Sequence, residues 1–184
     1  MDARPTRVAP LPEAEWTEEM RGALGARAGA GRARHLYTTL VRHPELFKHW
    51  LVFAAQILGG STLSPRAREL VILRTGYRCK SDYEWGHHSY IAGLVGISGD
   101  EIRRVIDGPN APGWDPFEAA LLRAADELHD HQAVSDATWA VLAAQCDVKQ
   151  LLDLVFTVGQ YTLVSMVLNT LGIQREAGVE GFPT

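Results

Sequence analysis

SPRARELVILRTGYRCKSDYEWGHHSYIAGLVG, residues 64–96, holds two glutamates, two adjacent histidines, three tyrosines, a tryptophan and one of the chain's two cysteines. It predicts two helices joined by a tight turn near Cys79–Ser81. Ser64 is a strong N-cap, and Pro65 suits the first helical position, where its missing N–H costs nothing. Leu70, Val71, Leu73 and Tyr77 follow a helical spacing, with Arg66, Arg68 and Arg74 expected on the surface. The second helix is expected to start at Ser81 or Asp82, either of which can cap it. Glu84 and His88 then lie one turn apart on one face, with His87 next to it and Tyr83 and Trp85 flanking.

A Glu–His pair at this spacing is often only a solvated helix pair worth a few tenths of a kcal/mol. Glu69 on the preceding helix raises the functional reading. In an antiparallel hairpin it can face Glu84 and His88, and titratable groups gathered in an apolar setting have their pKa values shifted towards neutrality. Metal ligation by Glu84, His87 and His88 is disfavoured, because neighbouring histidines diverge by about 100° on a helix. His129 and His131 likewise point apart at a solvated helix end. The expectation is no metal and no cofactor.

The stretch resembles the carboxymuconolactone decarboxylase family, which includes the AhpD-type alkylhydroperoxidases. That family's pattern is a glutamate followed twelve residues later by Cys-x-x-Cys-x-x-x-His. Setting its histidine on His88 puts the glutamate at Glu69 and the two cysteines at Ser81 and Glu84. Both redox cysteines are therefore replaced, and the run reads Tyr-Glu-Trp-x-x-His. The similarity extends weakly from about His35 to Gly172. It implies an AhpD-like helical bundle with a central site-bearing hairpin, oligomeric as a dimer, trimer or hexamer. It also implies acid–base chemistry on a small organic acid or lactone, by decarboxylation or isomerisation. In that reading His88 is the general acid/base, Glu84 orients it, Glu69 relays or tunes, Tyr83 and His87 donate to a substrate oxygen, and Trp85 walls the pocket. One alternative is a thiol peroxidase using Cys79, which lacks a neighbouring resolving thiol. Another is a non-catalytic oligomeric binding protein.

The whole chain agrees with this class. Its 184 residues suffice for one domain with a sizeable core. The net charge of -4 argues against nucleic acid, which needs a basic surface. No secretory h-region opens the sequence, so a cytoplasmic location is expected. Two cysteines do not make a disulfide framework. Residues 1–34 read as an extended or flexible arm. Within it Thr17 caps a short helix, and the Gly/Ala/Arg run 22–34 is a connector, or alternatively a basic strap over an anionic ligand or neighbouring subunit.

Further helices are expected from His35, from Pro44 to Gly59, after the Ser98/Glu101 capping box, from Pro116, from Ser135 with Trp139 and Leu142 inward, and from Val148 to Leu171. The loop 108–113 is the candidate boundary between a site-bearing half and a C-terminal helical half. Asp153, Gln160 and Asn169 make the last helix a poor membrane span, since a span wants roughly 20 apolar residues in a row. Being apolar nearly all round, it points to subunit association. The tail after Gly172 shows no pattern. With no alternating strands and no repeat, the class is all-α.

Overall fold

The computed structural model describes residues 4–28 and 33–183, and among these there are helices and no strands. In chain order the helices are α1 (Glu18–Leu24), α2 (Arg34–Leu40), α3 (Pro44–Gly59), α4 (Pro65–Arg78) and α5 (Asp82–Leu94). They continue with α6 (Gly99–Asp107), α7 (Pro116–His131), α8 (Asp136–Ala143) and α9 (Val148–Leu171). Their starts follow the expected caps. Ser64 Oγ accepts from the Ala67 N–H, Thr17 from Met20, and Ser135 from Thr138. Ser98 with Glu101 and Asp115 with Glu118 close reciprocal capping boxes.

Helix α4 is the central element, because it is apolar on successive positions and each advances about 100° around the axis. Val71 joins Leu121, Leu142 and Leu154 of α7, α8 and α9. Ile72 joins Ile57, Tyr83, Tyr161 and Leu168. Leu70 and Leu73 meet Trp85, Ala92, Val105 and Leu122. Three cores thus meet on one helix, each fully buried aliphatic side chain contributing about 1.5–3 kcal/mol. Since α7 and α9 both pack on α4, the 108–113 loop separates no independent half.

Three surface expectations change. Arg74 is buried, holding Asp126 through Nε and Nη2 at 2.7 and 2.9 Å and donating to the Val105 and Ile106 carbonyls. A charge can be buried there because every donor direction used is answered. Trp139, expected inward, is 44% exposed, while Leu142 and Thr138 are the buried residues of α8. The N-terminal segment is also more ordered than an arm. Leu11, Trp16 and Leu24 are buried with Val41 and Phe47, and residues 25–28 form a short 3-10 turn. The amphipathic pattern there is too short to announce its docking in sequence. Of the predicted connector, residues 29–32 lie outside the described residues, as do 1–3 of the predicted arm.

Between α4 and α5 the chain reverses through Lys80, which adopts a left-handed φ of 53°. The Ser81 N–H donates to the Gly76 carbonyl and the Lys80 N–H to the Tyr77 carbonyl, each at 2.9 Å. This is a Schellman-type stop with lysine where glycine is usual. It sets α5 antiparallel to α4, close enough that a Cβ on Gly76 would lie 3.4 Å from Glu84 Cβ. Ser81 precedes α5 as expected but makes no side-chain cap, and its Oγ is buried without a partner. Asp82 turns instead to the C-terminal tail, accepting from the Phe182 N–H at 2.7 Å and pairing with Arg175.

Candidate active site

The hairpin brings Glu69, Glu84 and His88 together. His88 donates from Nδ1 to Glu69 Oε2 at 2.7 Å, and its Nε2 lies 3.4 Å from Glu84 Oε2. Glu69 is fully buried, while Glu84 and His88 are each 5% exposed. Glu69 Oε1 also faces Arg68 Nε at 3.3 Å. Glu69 rather than Glu84 thus takes the shorter contact with the imidazole, on the Nδ1 side. Because Glu69 takes Nδ1, it fixes the tautomer and aims Nε2, whereas Glu84 stands at the open end. The reason is position: Glu69 lies within the α4 core, and Glu84 lies on the cavity side of α5.

That open end is a cavity of about 210 Å³ between α2, α3, α5 and α9. Glu84, His87 and His88 line it together with Tyr37, Trp50 and Tyr161. Its size is below the roughly 300–1,000 Å³ typical of pockets for drug-sized ligands, so it suits a small molecule. The Tyr161 ring meets His88 edge-on, with centroids 4.8 Å apart, and fixes the imidazole from the α9 side. Trp50 supplies the aromatic wall from α3.

Trp85, the wall expected from sequence, does not line this cavity. It is 2% exposed on the opposite face of α5, packed against Tyr77 and Phe182 with ring centroids 6.1 and 5.3 Å apart. Its position one residue after Glu84 turns it about 100° away. Tyr83 and His87 do line the cavity, but both are held by Glu176 of the C-terminal tail. Tyr83 Oη–H donates to Glu176 Oε1 at 2.8 Å, and His87 Nε2–H donates to Oε2 at 2.7 Å. The His35 N–H adds a third donor at 2.7 Å. Sequence reasoning missed Glu176. Its partners are up to 141 positions away and the tail has no periodicity, so no local signal marked it. His87 and His88 thus diverge to different carboxylates.

The electrostatics follow from burial and these pairs. Burial pushes the Glu84 carboxyl up from its usual range, towards the protonated form, against the opposing pull of His88 and His87. For His88 burial acts downward, but the charge and hydrogen bond of Glu69, with the charge of Glu84, outweigh it and raise the imidazole. Both shifts favour the protonated forms of two facing groups at the cavity wall. Glu176 is the reverse case. Its desolvation is outweighed by donors from His87, His35 and Tyr83, which hold it at about 2. It is an anionic anchor. Burial, followed by the charge and hydrogen bond of Glu176, keeps the Tyr83 hydroxyl protonated.

Cys79 does not line the cavity. Its Sγ lies 3.8 Å from His129 Nδ1 and 3.9 Å from Thr162 Oγ1, and burial raises the thiol. A peroxidatic thiol needs the opposite shift.

Residues 44–127 match the model of the carboxymuconolactone decarboxylase family. No curated protein sequence matches the chain. Among solved structures, the fold is similar to an uncharacterized peroxidase-related protein with an alkylhydroperoxidase AhpD core from Ralstonia eutropha JMP134. The TM-score is 0.78 at 18% identity, over 95% of each chain. A peroxidase-related protein from Silicibacter sp. TM1040 gives a TM-score of 0.75 at 14% identity, covering 97% of this chain and 92% of the other. A cysteine-to-alanine variant of the debrominase Bmp8, in complex with 2,3,4-tribromopyrrole, gives 0.75 at 14% identity over 96% and 95%.

Proposed function

We propose that the chain, whose residues 44–127 match the carboxymuconolactone decarboxylase family model, is an acid–base enzyme acting on a small carbonyl compound, without a protein thiol in the chemistry. The family-model match, with the similar fold of peroxidase-related proteins, supports an enzyme-like or peroxidase-related function. The observation that carries the finer reading is the buried chain Glu69, His88, Glu84, ending at a small, largely apolar cavity. In the family pattern a cysteine stands where this sequence has Glu84. A carboxyl there, facing a histidine whose other nitrogen is anchored, transfers protons and not electrons.

In decarboxylation of a β-keto acid, the electrons of the breaking C–C bond flow into the carbonyl, carbon dioxide leaves, and the carboxyl of Glu84 delivers its proton to the carbanionic carbon. His88 then restores that proton. In isomerisation, Glu84 as carboxylate removes a proton α to the carbonyl and returns it at a conjugated position. Such positioned proton transfer contributes about 10²–10⁴-fold in rate. Tyr83 and His87, kept as donors to Glu176, have their positions fixed at the cavity wall. The test is turnover of β-keto acids and unsaturated lactones by wild type, Glu84→Gln and His88→Ala. Losses of about a hundredfold or more in both variants are expected. Unchanged rates with intact folds would overturn the acid–base roles of Glu84 and His88.

Self-association is part of the same proposal. Leu152, Val155, Phe156, Leu163 and Met166 form an exposed apolar stripe along α9, beside exposed Phe53 and Leu58 of α3. Shallow apolar hollows on this face share Trp50, Gln160 and Val164 with the site cavity. A second copy of the chain covers the stripe in this reading. Sedimentation of wild type as an oligomer, shifted to smaller species by Phe156→Asp, is the expected result; a monomeric wild type overturns it. Helix α9 is long and apolar enough to cross a membrane, but half of its most apolar window is buried inside this fold. A cytoplasmic location completes the proposal.

A further inference from the structure

Five buried side-chain polar atoms lack a hydrogen-bond partner among the described residues: Trp50 Nε1, Ser81 Oγ, Ser89 Oγ, Gln160 Oε1 and Ser165 Oγ. Only Trp50 and Gln160 line the cavity that holds Glu84 and His88. Buried polar groups are nearly always paired, and an unpaired one is costly, so two at one cavity call for an occupant. Neither is a loosely held group. Trp50 is pinned by Phe47 and Tyr37, with ring centroids 6.3 and 6.5 Å away. Gln160 is 5% exposed and adjoins Tyr161, whose ring braces His88.

The chemistry of the two groups restricts what they accept. An indole N–H only donates, so it requires an acceptor such as a carbonyl oxygen. A carboxamide both donates and accepts, so it pairs best with an edge that presents an acceptor beside a donor. A carbonyl flanked by N–H or O–H offers that edge, and the second lone pair of its oxygen remains for the indole. The rest of the cavity is predominantly apolar wall, which suits a small carbon skeleton.

Resting on the proposed acid–base reading, we infer that Trp50 and Gln160 form the recognition end of the site, and that its substrates are small carbonyl compounds carrying a hydrogen-bond donor next to the carbonyl. Trp50 N–H and the Gln160 amide hold the carbonyl edge, and the carbon skeleton extends towards Glu84 and His88. The carbonyl polarised at one end of the cavity is the electron sink for proton transfer at the other.

The test uses binding, so that it is independent of turnover. The probes are δ-valerolactam, its N-methyl derivative, δ-valerolactone and hydroxyacetone, titrated into ¹⁵N-labelled full-length protein. The Trp50 indole signal is identified by its loss in Trp50→Phe. Expected are a shift of that signal with δ-valerolactam, and about tenfold weaker binding of the N-methyl derivative and the lactone, which lack the donor. In Gln160→Leu the preference for the donor-bearing lactam collapses. In Trp50→Phe, which keeps an aromatic ring but loses the N–H, all carbonyl probes bind about tenfold more weakly. Hydroxyacetone decides whether an O–H serves as well as an N–H.

Absence of binding by every probe overturns the inference, as does binding that leaves the Trp50 signal in place. Equal affinity for the lactam and its N-methyl derivative does so too. That last comparison needs no variant to fold. If the binding pattern holds but Glu84→Gln leaves turnover unchanged, the acid–base reading fails and the recognition end stands. If turnover falls but the pattern is absent, the reverse applies.

Discussion

Replacing Glu69 by glutamine removes one charge from a fully buried position while keeping the side chain's size and one oxygen acceptor. The wild-type carboxylate accepts from His88 Nδ1–H at 2.7 Å, within the range of a charge-assisted hydrogen bond. Such bonds contribute about 1.5–3 kcal/mol, and one pKa unit corresponds to about 1.36 kcal/mol. Glu69→Gln therefore lowers the His88 pKa, because the burial that already opposes the imidazolium is no longer offset. The assay is a pH titration of the histidine ring carbons by NMR, with the His88 signal assigned by its absence in His88→Ala.

The sign in stability follows from the same shift. A raised histidine contributes stability that is fully present below its unfolded value of about 6.5 and lost as pH rises through the folded value. The melting-temperature difference between wild type and Glu69→Gln is accordingly largest below that unfolded value and narrows on the alkaline side. An inflection for His88 that stays in place, or moves upward, refutes the argument that Glu69 holds the imidazolium.

Three further outcomes follow from other parts of the molecule. Glu176, held at about 2 against an ordinary 4.5, gains about 3.4 kcal/mol by that shift, reduced by solvent screening to on the order of 2–3 kcal/mol, which is present above 4.5 and disappears as pH falls towards 2. Glu176→Gln flattens that acid limb in chemical-denaturation curves recorded across the interval; an unchanged limb contradicts the anchoring role. Gly86→Ala places a Cβ against the Glu180 carbonyl and Val179, so it displaces the tail over α5 at a cost of about 1–3 kcal/mol. Faster hydrogen exchange confined to residues 178–183 and the α5 face beneath them is the expected readout. Cys79→Ser leaves any thiol-dependent peroxide consumption unchanged, since the buried thiol is pushed towards its neutral form; loss of such activity would put the peroxidase alternative ahead of the acid–base reading.

The helix starts were legible because caps are local. Ser64-Pro65, Ser98 with Glu101, and Asp115-Pro116 each carry their signal within four residues. The pairing of Glu69 with His88 was legible for a similar reason: a tight turn between two helices leaves few ways to align them. What lay across the helix axis was less so. Trp85 and Glu84 are chain neighbours on different faces, and the choice of which face looks into the cavity depends on α9 and α3, both distant in sequence. Arg74 reads as a surface charge until Asp126, 52 positions on, is placed beside it. Glu176 belongs to the same class, and so does Gly172, whose φ of 65° ends α9 and brings the N-terminal segment against it, Arg7 donating to the Leu171 carbonyl at 2.8 Å. Local chemistry marks where elements begin and end; their long-range partners are set by the packing of the whole.

The central claim is that Glu84 and His88 together move a proton to and from carbon in the cavity. Its most direct measurement is incorporation of solvent deuterium α to the carbonyl of small cyclic and open-chain carbonyl compounds, followed by ¹H NMR. Wild type is expected to catalyse exchange, with a fall of about a hundredfold or more in both Glu84→Gln and His88→Ala. Exchange that proceeds equally in wild type and the two folded variants, or only at the rate of buffer alone, contradicts it.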